Sequence, residues 1–172
     1  VSKNVRNPLS TNLYIVNRDA EGRLMMSPDS LKKNLVTFLN EFRLVSDAID
    51  ILDTRIVNVG IEFKIAVDPN FNSESVLSSA ISKLINYMSV ENFQIGQPIR
   101  LSDLTNLVYN TAGVVSVIEL KVVPKNAPVG ERSYSSVIHN IPNHTTKGLV
   151  LPPEGGIFEV KFPESDIRGA VA

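Results

Sequence analysis

Cysteine and tryptophan are absent from the 172 residues, and histidine occurs only twice. Without cysteine there is no disulfide, no thiolate nucleophile and no cysteine-based zinc site. Small secreted domains often depend on disulfides, so the composition disfavours that class. No apolar run approaches the ~20 residues of a membrane span, and the opening residues carry no signal-peptide pattern. A chain that begins at Val1 is expected to be a processed product or part of a longer protein. An excess of one charge is also missing: 17 basic against 18 acidic residues leave a net charge of -1. The longest basic run is Lys32-Lys33, inside a helical pattern. Nucleic-acid binders draw much of their affinity from phosphate neutralisation, so neither nucleic acid nor membrane is an expected partner.

What is present is ordinary for a globular chain. Hydrophobic residues make up 43% and charged residues 20%, which excludes disorder, collagen and coiled coil. Residues 12–17 read as a short strand, followed by a turn at Asp19-Ala20-Glu21-Gly22. Ser27 is placed to cap a helix with Pro28 at its first position and Asp29 in its first turn. Leu31, Leu35, Phe38, Leu39 and Phe42 share one face of that helix. From 56 to 67 the chain alternates: Val57, Val59, Ile61, Phe63, Ile65 and Val67 against Asn58, Gly60, Glu62 and Lys64. Period two predicts a strand with one apolar and one mostly wet face, in a strongly specified register.

After a turn at Asp68-Pro69-Asn70, Asn72 or Ser73 can cap a second helix. Its inner face is Val76, Leu77, Ala80, Ile81, Leu84, Ile85 and Met88. A short extended piece at 95–99 leads to a third helix capped by Ser102, with Asp103 in its first turn and Leu104, Leu107 and Val108 inward. Gly113 suits its stop, and 114–123 returns as a strand ending at Pro124. Residues 124–156 hold Pro124, Pro128, Pro142, Pro152 and Pro153 with four glycines, and sustain neither period. One more strand is expected at 157–162, with Phe158, Val160 and Phe162 on one face and Glu159 and Lys161 on the other. The fold class is therefore α+β: a small, mostly antiparallel sheet with helices on one face, then an extended arm and a C-terminal strand. The expected division is a core domain at 1–123 and an arm with its strand at 124–172.

Catalytic chemistry finds little support. His139 and His144 could form a metal pair, but a metal site wants three or four ligands with supporting bonds. No cysteine can contribute and no carboxylate lies between them, so both read as solvated loop residues. No serine stands in a Gly-x-Ser-x-Gly turn, and Ser135-Ser136 reads as polar loop. Asp103 suits a helix start, Glu119 and Glu159 the wet side of strands, and Asp166 a C-terminal turn. Gly155-Gly156 and the run ending at Gly113 lack the strand-glycine-helix setting of a phosphate cradle. No catalytic, cofactor or metal residue is assigned, and no cofactor is expected. The competing reading is a small-ligand or hydrolytic domain built on dispersed carboxylates.

The run Ile95-Gly96-Gln97-Pro98-Ile99-Arg100-Leu101-Ser102-Asp103-Leu104, followed by Gly113-Val114-Val115-Ser116-Val117, resembles the baseplate J-like family of contractile phage tails. In that family a glycine, a short strand, a capped helix and a Gly-Val strand follow a long strand and a helix. Residues 56–67 and 76–88 occupy those places, and 39–53 is similar to the lead-in. The resemblance covers 31–123. Gly148-Leu149-Val150-Leu151-Pro152-Pro153 and the run from Ile157 to Gly169 are similar to the C-terminal end of baseplate wedge subunits of T-even-type phages. The resemblance implies a non-enzymatic structural subunit of the virion's tail baseplate, assembled in the host cytoplasm. It also implies self-association, as a homodimer and then a higher ring, with other wedge subunits and the tail hub as partners. The family protein is much longer, so this chain corresponds to its C-terminal part.

Structureless stretches longer than about 12–15 residues are uncommon in compact domains, so the arm needs an anchor. Phe158, Val160 and Phe162 are the candidate interaction residues, either on this chain's own sheet or on a second copy. Deleting 157–172 is expected to weaken assembly more than it unfolds residues 31–123.

Overall fold

The computed structural model describes residues 2–3, 10–42, 48–126, 128 and 132–172. It is an α+β protein that divides into two compact units, Val1–Arg55 and Ile56–Ala172. The division follows Arg55, at the start of the long alternating strand, and the arm and the C-terminal strands belong to the second unit with that strand.

The first unit holds β1 (Ser2–Lys3), β2 (Ser10–Ile15), β3 (Asn17–Arg18), β4 (Leu24–Met25), helix α1 (Asp29–Asn40) and β5 (Ala48–Asp53). β2 pairs antiparallel with β1 and parallel with β5. The expected turn closes the β3–β4 hairpin: the Gly22 N–H donates to the Asp19 carbonyl at 3.1 Å. β5 lies in the expected lead-in, whose residues 43–47 fall outside the described residues.

α1 starts one residue later than the capping pattern suggested. Pro28 occupies the cap and Ser27 Oγ is buried, with no hydrogen bond among the described residues. The expected apolar face also splits in two. Leu35 and Leu39 are half-buried on the same side as Lys32, whose Nζ pairs with Asp53 Oδ2 on β5 at 2.7 Å and with Asp29 at 2.9 Å. Leu31, Phe38 and Phe42 remain 46%, 56% and 70% exposed.

The second unit is built on β6 (Arg55–Val67), the expected long strand. Helix α2 (Ser73–Tyr87) follows, its first turn capped by Asn72 Oδ1 accepting from the Ser75 N–H at 3.0 Å. Next come a 3-10 turn (Val90–Asn92), β7 (Ile99–Arg100), α3 (Leu101–Tyr109) and β8 (Val114–Pro124). The end of the chain carries a 3-10 turn (Pro142–His144), β9 (Thr145–Thr146), β10 (Leu149–Val150), β11 (Gly156–Glu159), the short α4 (Pro163–Asp166) and β12 (Ile167–Val171).

β6 pairs antiparallel with β8, parallel with β12, and also with β11. The periodicity of α2 and α3 places Val76, Ala80, Leu84, Leu104 and Val108 in the core beside Ile61, Phe63 and Ile65. Gly113 turns from α3 into β8 at φ 90°, with Val76 and Phe71 so close that a side chain there would collide with them. The 95–99 stretch yields only the short β7, and Ser102 sits inside α3 instead of capping it.

β6 departs from simple alternation in one respect. Ile56, Val57, Asn58, Val59, Gly60 and Ile61 are all buried, so its first half has no wet face. The returning C-terminal chain covers it. Among the described residues no helix is long and apolar enough to cross a membrane.

Candidate functional site: arm anchor and exposed surfaces

The arm is held in cis, and two buried carboxylates hold it. Glu159, at the end of β11, is 1% exposed and accepts a 2.6 Å hydrogen bond from Asn58 Nδ2. Asn58 Oδ1 in turn accepts from the Ser135 N–H at 2.6 Å. The one polar side chain buried on the first half of β6 thereby ties the C-terminal strand and the arm to one point. Asp166, 2% exposed at the end of α4, accepts from the Tyr134 hydroxyl at 2.6 Å and from the Phe162 N–H at 3.0 Å. Burial, then the bond and charge of Asp166, push the Tyr134 phenol up to about 12. The Tyr134 ring meets Phe162 edge-on, centroids 5.4 Å apart. Further back, the Lys125 N–H extends the ladder onto the Asn58 carbonyl at 2.9 Å, and β10 pairs with β7. Residues 127 and 129–131 of the arm lie outside the described residues.

These placements correct several expectations. Glu159 does not face water: its neighbour β6 needs a partner for Asn58, and a carboxylate buried with a hydrogen-bonding amide supplies it. Asp166 does lie in a C-terminal turn, the single helical turn α4, but as a buried acceptor. Phe158 and Val160 are 1% and 5% exposed and Phe162 is half-buried, all within this chain's own fold. The strand ends at Glu159, earlier than 162. Residues 157–172 contain two strands of the β6 sheet, so their removal would dismantle the second unit and not spare its core.

His139 is buried, at 6% exposure, and not solvated. Its Nε2 lies 2.9 Å from the Leu151 carbonyl, its ring stacks 4.3 Å from that of His144, and Phe158 lies 6.1 Å away. His144 is exposed and its Nδ1 lies 2.8 Å from the Asn140 carbonyl. Both near nitrogens must carry hydrogen to bond carbonyls, so the pair is a packing contact. Among the described residues no group of three or more possible metal ligands assembles.

Burial first, and the His144 charge with it, hold the His139 imidazole below its ordinary range, against the Leu151 bond that favours the proton. The folded chain thus binds this proton less tightly than the unfolded chain. Its contribution to stability is complete above about pH 6.5 and is lost as pH falls from there toward the depressed value. Thermal melts should show a lower melting temperature at about pH 5 than at neutrality, and His139→Gln should flatten that slope. An unchanged slope in the variant would place the acid sensitivity elsewhere.

The other two candidate carboxylates, Asp103 and Glu119, stand on separate elements. Asp103 accepts from the Tyr87 hydroxyl at 3.3 Å, and Glu119 pairs loosely with Lys121 at 3.8 Å on β8. Polar groups are brought together where the arm is fixed. Large apolar side chains stay accessible at several places, among them Leu31 and Phe38 on α1 with Phe42 just beyond its end, Val115 (57% exposed) and Ile118 (54% exposed) on β8, and Ile138 (81% exposed) on the arm. The sequence did not flag Tyr134, Ser135 or Asn58, since single polar residues in a loop or strand carry no periodic signal. No family model matches the chain, and no curated protein matches it.

Proposed function

We propose that this chain is a structural subunit of a contractile phage tail baseplate wedge, one that self-associates and joins neighbouring wedges around the tail hub. The observation that carries the proposal is the set of large apolar side chains left exposed on and just after α1 and on β8. Exposed apolar clusters mark protein contacts. The family resemblance over 31–123 and at the C-terminal end supplies the kind of assembly. An assembly that continues beyond a closed dimer needs two distinct surfaces, and α1 and β8 are separate elements.

The carboxylates that a hydrolytic reading would use have structural occupations, two of them deep in the arm anchor. Light scattering over a range of concentrations should give a mass that rises above the monomer. Phe38→Ser/Phe42→Ser should keep unfolding stability within about 0.5 kcal/mol, as exposed positions do, and should reduce the largest species. A strictly monomeric mass at high micromolar concentration would sink the proposal.

A further inference from the structure

β8 is an outer strand of its sheet. Among the described residues it pairs only with β6, and its opposite edge is free. Which groups lie on that edge follows from the ladder. Lys125 N–H bonds the Asn58 carbonyl at 2.9 Å, and Gly60↔Val123, Glu62↔Lys121 and Lys64↔Glu119 continue the same register. In an antiparallel pair, bonded and non-bonded residues alternate. The backbone groups of Val123, Lys121 and Glu119 therefore point to β6, and those of Leu120 and Val122 point outward. Pro124 has no N–H to offer and closes this edge at one end. At the other end β8 itself bulges: Lys64 pairs with Glu119 and Ile65 with Val117, which leaves Ile118 without a partner on β6. What stays open is a window from Ile118 to Val122.

We infer that this window pairs antiparallel with the same window of a second copy, about a two-fold axis through Leu120, so that the two sheets become one. The inference rests on the self-association reading above. Charge complementarity selects both occupant and register. Centred on Leu120, Glu119 of each copy stands opposite Lys121 of the other, and Ile118 opposite Val122. Moving the centre by one residue places Glu119 against Glu119 or Lys121 against Lys121, and like charges directly opposite destabilise a sheet. Glu119 and Lys121 form a non-bonded pair across the axis, the closer of the two kinds. Their side chains are 61% and 50% exposed, and Lys121 holds only loose contacts at home, to Glu62 at 3.4 Å and Glu119 at 3.8 Å. Such exposed pairs are weak and can exchange for the partner's. Exposed Ile118 is covered in the same step.

The experiment is a charge exchange followed by sedimentation velocity across the micromolar range, with thermal melts confirming that each variant folds. Lys121→Glu and Glu119→Lys should each weaken homodimerisation by about tenfold or more, since each sets two like-charge pairs across the axis. An equimolar mixture of the two variants should recover a dimer, because each then offers the charges the other lacks. The double exchange Glu119→Lys/Lys121→Glu should also dimerise. If wild type and both single variants dimerise equally well, the edge pairing is wrong while self-association stands. If the single variants are monomeric and the mixture stays so, the register is wrong. If wild type itself is monomeric throughout, self-association and this pairing fall together.

Discussion

Asp166→Ala is expected to lower unfolding stability by about 3 kcal/mol and to expose the arm to protease. Two close donors lose their acceptor in that variant, the Tyr134 hydroxyl and the Phe162 N–H, both bonded to a residue that is 2% exposed; a third, the Ser165 hydroxyl at 3.5 Å, keeps the Phe162 carbonyl as an alternative. Hydrogen bonds to charged acceptors are worth roughly 1.5–3 kcal/mol each. Removing a buried carboxylate also recovers part of its desolvation cost, so the lower end of the summed range is the appropriate figure. Asp166→Asn should recover only part of the loss. It keeps one acceptor oxygen and turns an NH2 toward a donor that needs an acceptor. Denaturant unfolding and limited proteolysis of 124–156 read both effects. A change below about 1 kcal/mol with unaltered cleavage would mean the arm is fastened without Asp166.

Gly60→Val is expected to be comparably severe, at about 3 kcal/mol, the upper range for overpacking. A Cβ at position 60 would stand 2.6 Å from the Asp166 carbonyl oxygen and 2.5 Å from Lys125 Cε. The lysine end can swing away. The Asp166 carbonyl cannot, because it belongs to the junction of α4 and β12, and β12 is registered residue by residue against Ile61–Ile65. The strain should therefore fall on that junction and loosen the same lock as Asp166→Ala. The two substitutions should combine less than additively, as changes at contacting sites do. Full additivity would show that Gly60 and Asp166 report on separate regions.

Both results depend on a covering that local pattern could not reveal. Alternation along β6 correctly identified a strand, and its core side chains Ile61, Phe63 and Ile65 are buried as that pattern requires. The opposite side chains, Asn58 and Gly60, read as wet because period two records only polarity. A glycine and an amide fit under a returning chain as well as they face water. β12 went unrecognised for a related reason. Ile167-Arg168-Gly169-Ala170-Val171 is short and contains a glycine, which sequence alone assigns to a tail. Gly169 is where Phe63 and Leu77 crowd the backbone, so the glycine marks close packing.

The helices show the same boundary between local and long-range information. The 3-4-3 spacing of α2 has a rigid physical meaning, because every helix places those positions on one side. Val76, Ala80, Leu84 and Met88 are accordingly buried. The similar spacing in α1 marked a face but could not say what would cover it. There Leu35 and Leu39 lie half-buried on the side that carries the Lys32–Asp53 ion pair, and Phe38 and Phe42 stay outside.

By itself, then, the sequence determined the elements whose apolar spacing repeats over many residues: β6, α2, α3 and β8, and with them the α+β class. Each of those repeats is imposed by backbone geometry and is written locally. The tertiary structure alone decided where 124–172 goes. That path is fixed by single contacts between residues far apart in the chain, Asn58 with Glu159 and Ser135, Tyr134 with Asp166. A hydrogen bond spanning 77 or 101 positions leaves no period to read. It forms because a polar group buried by the fold must find a partner there.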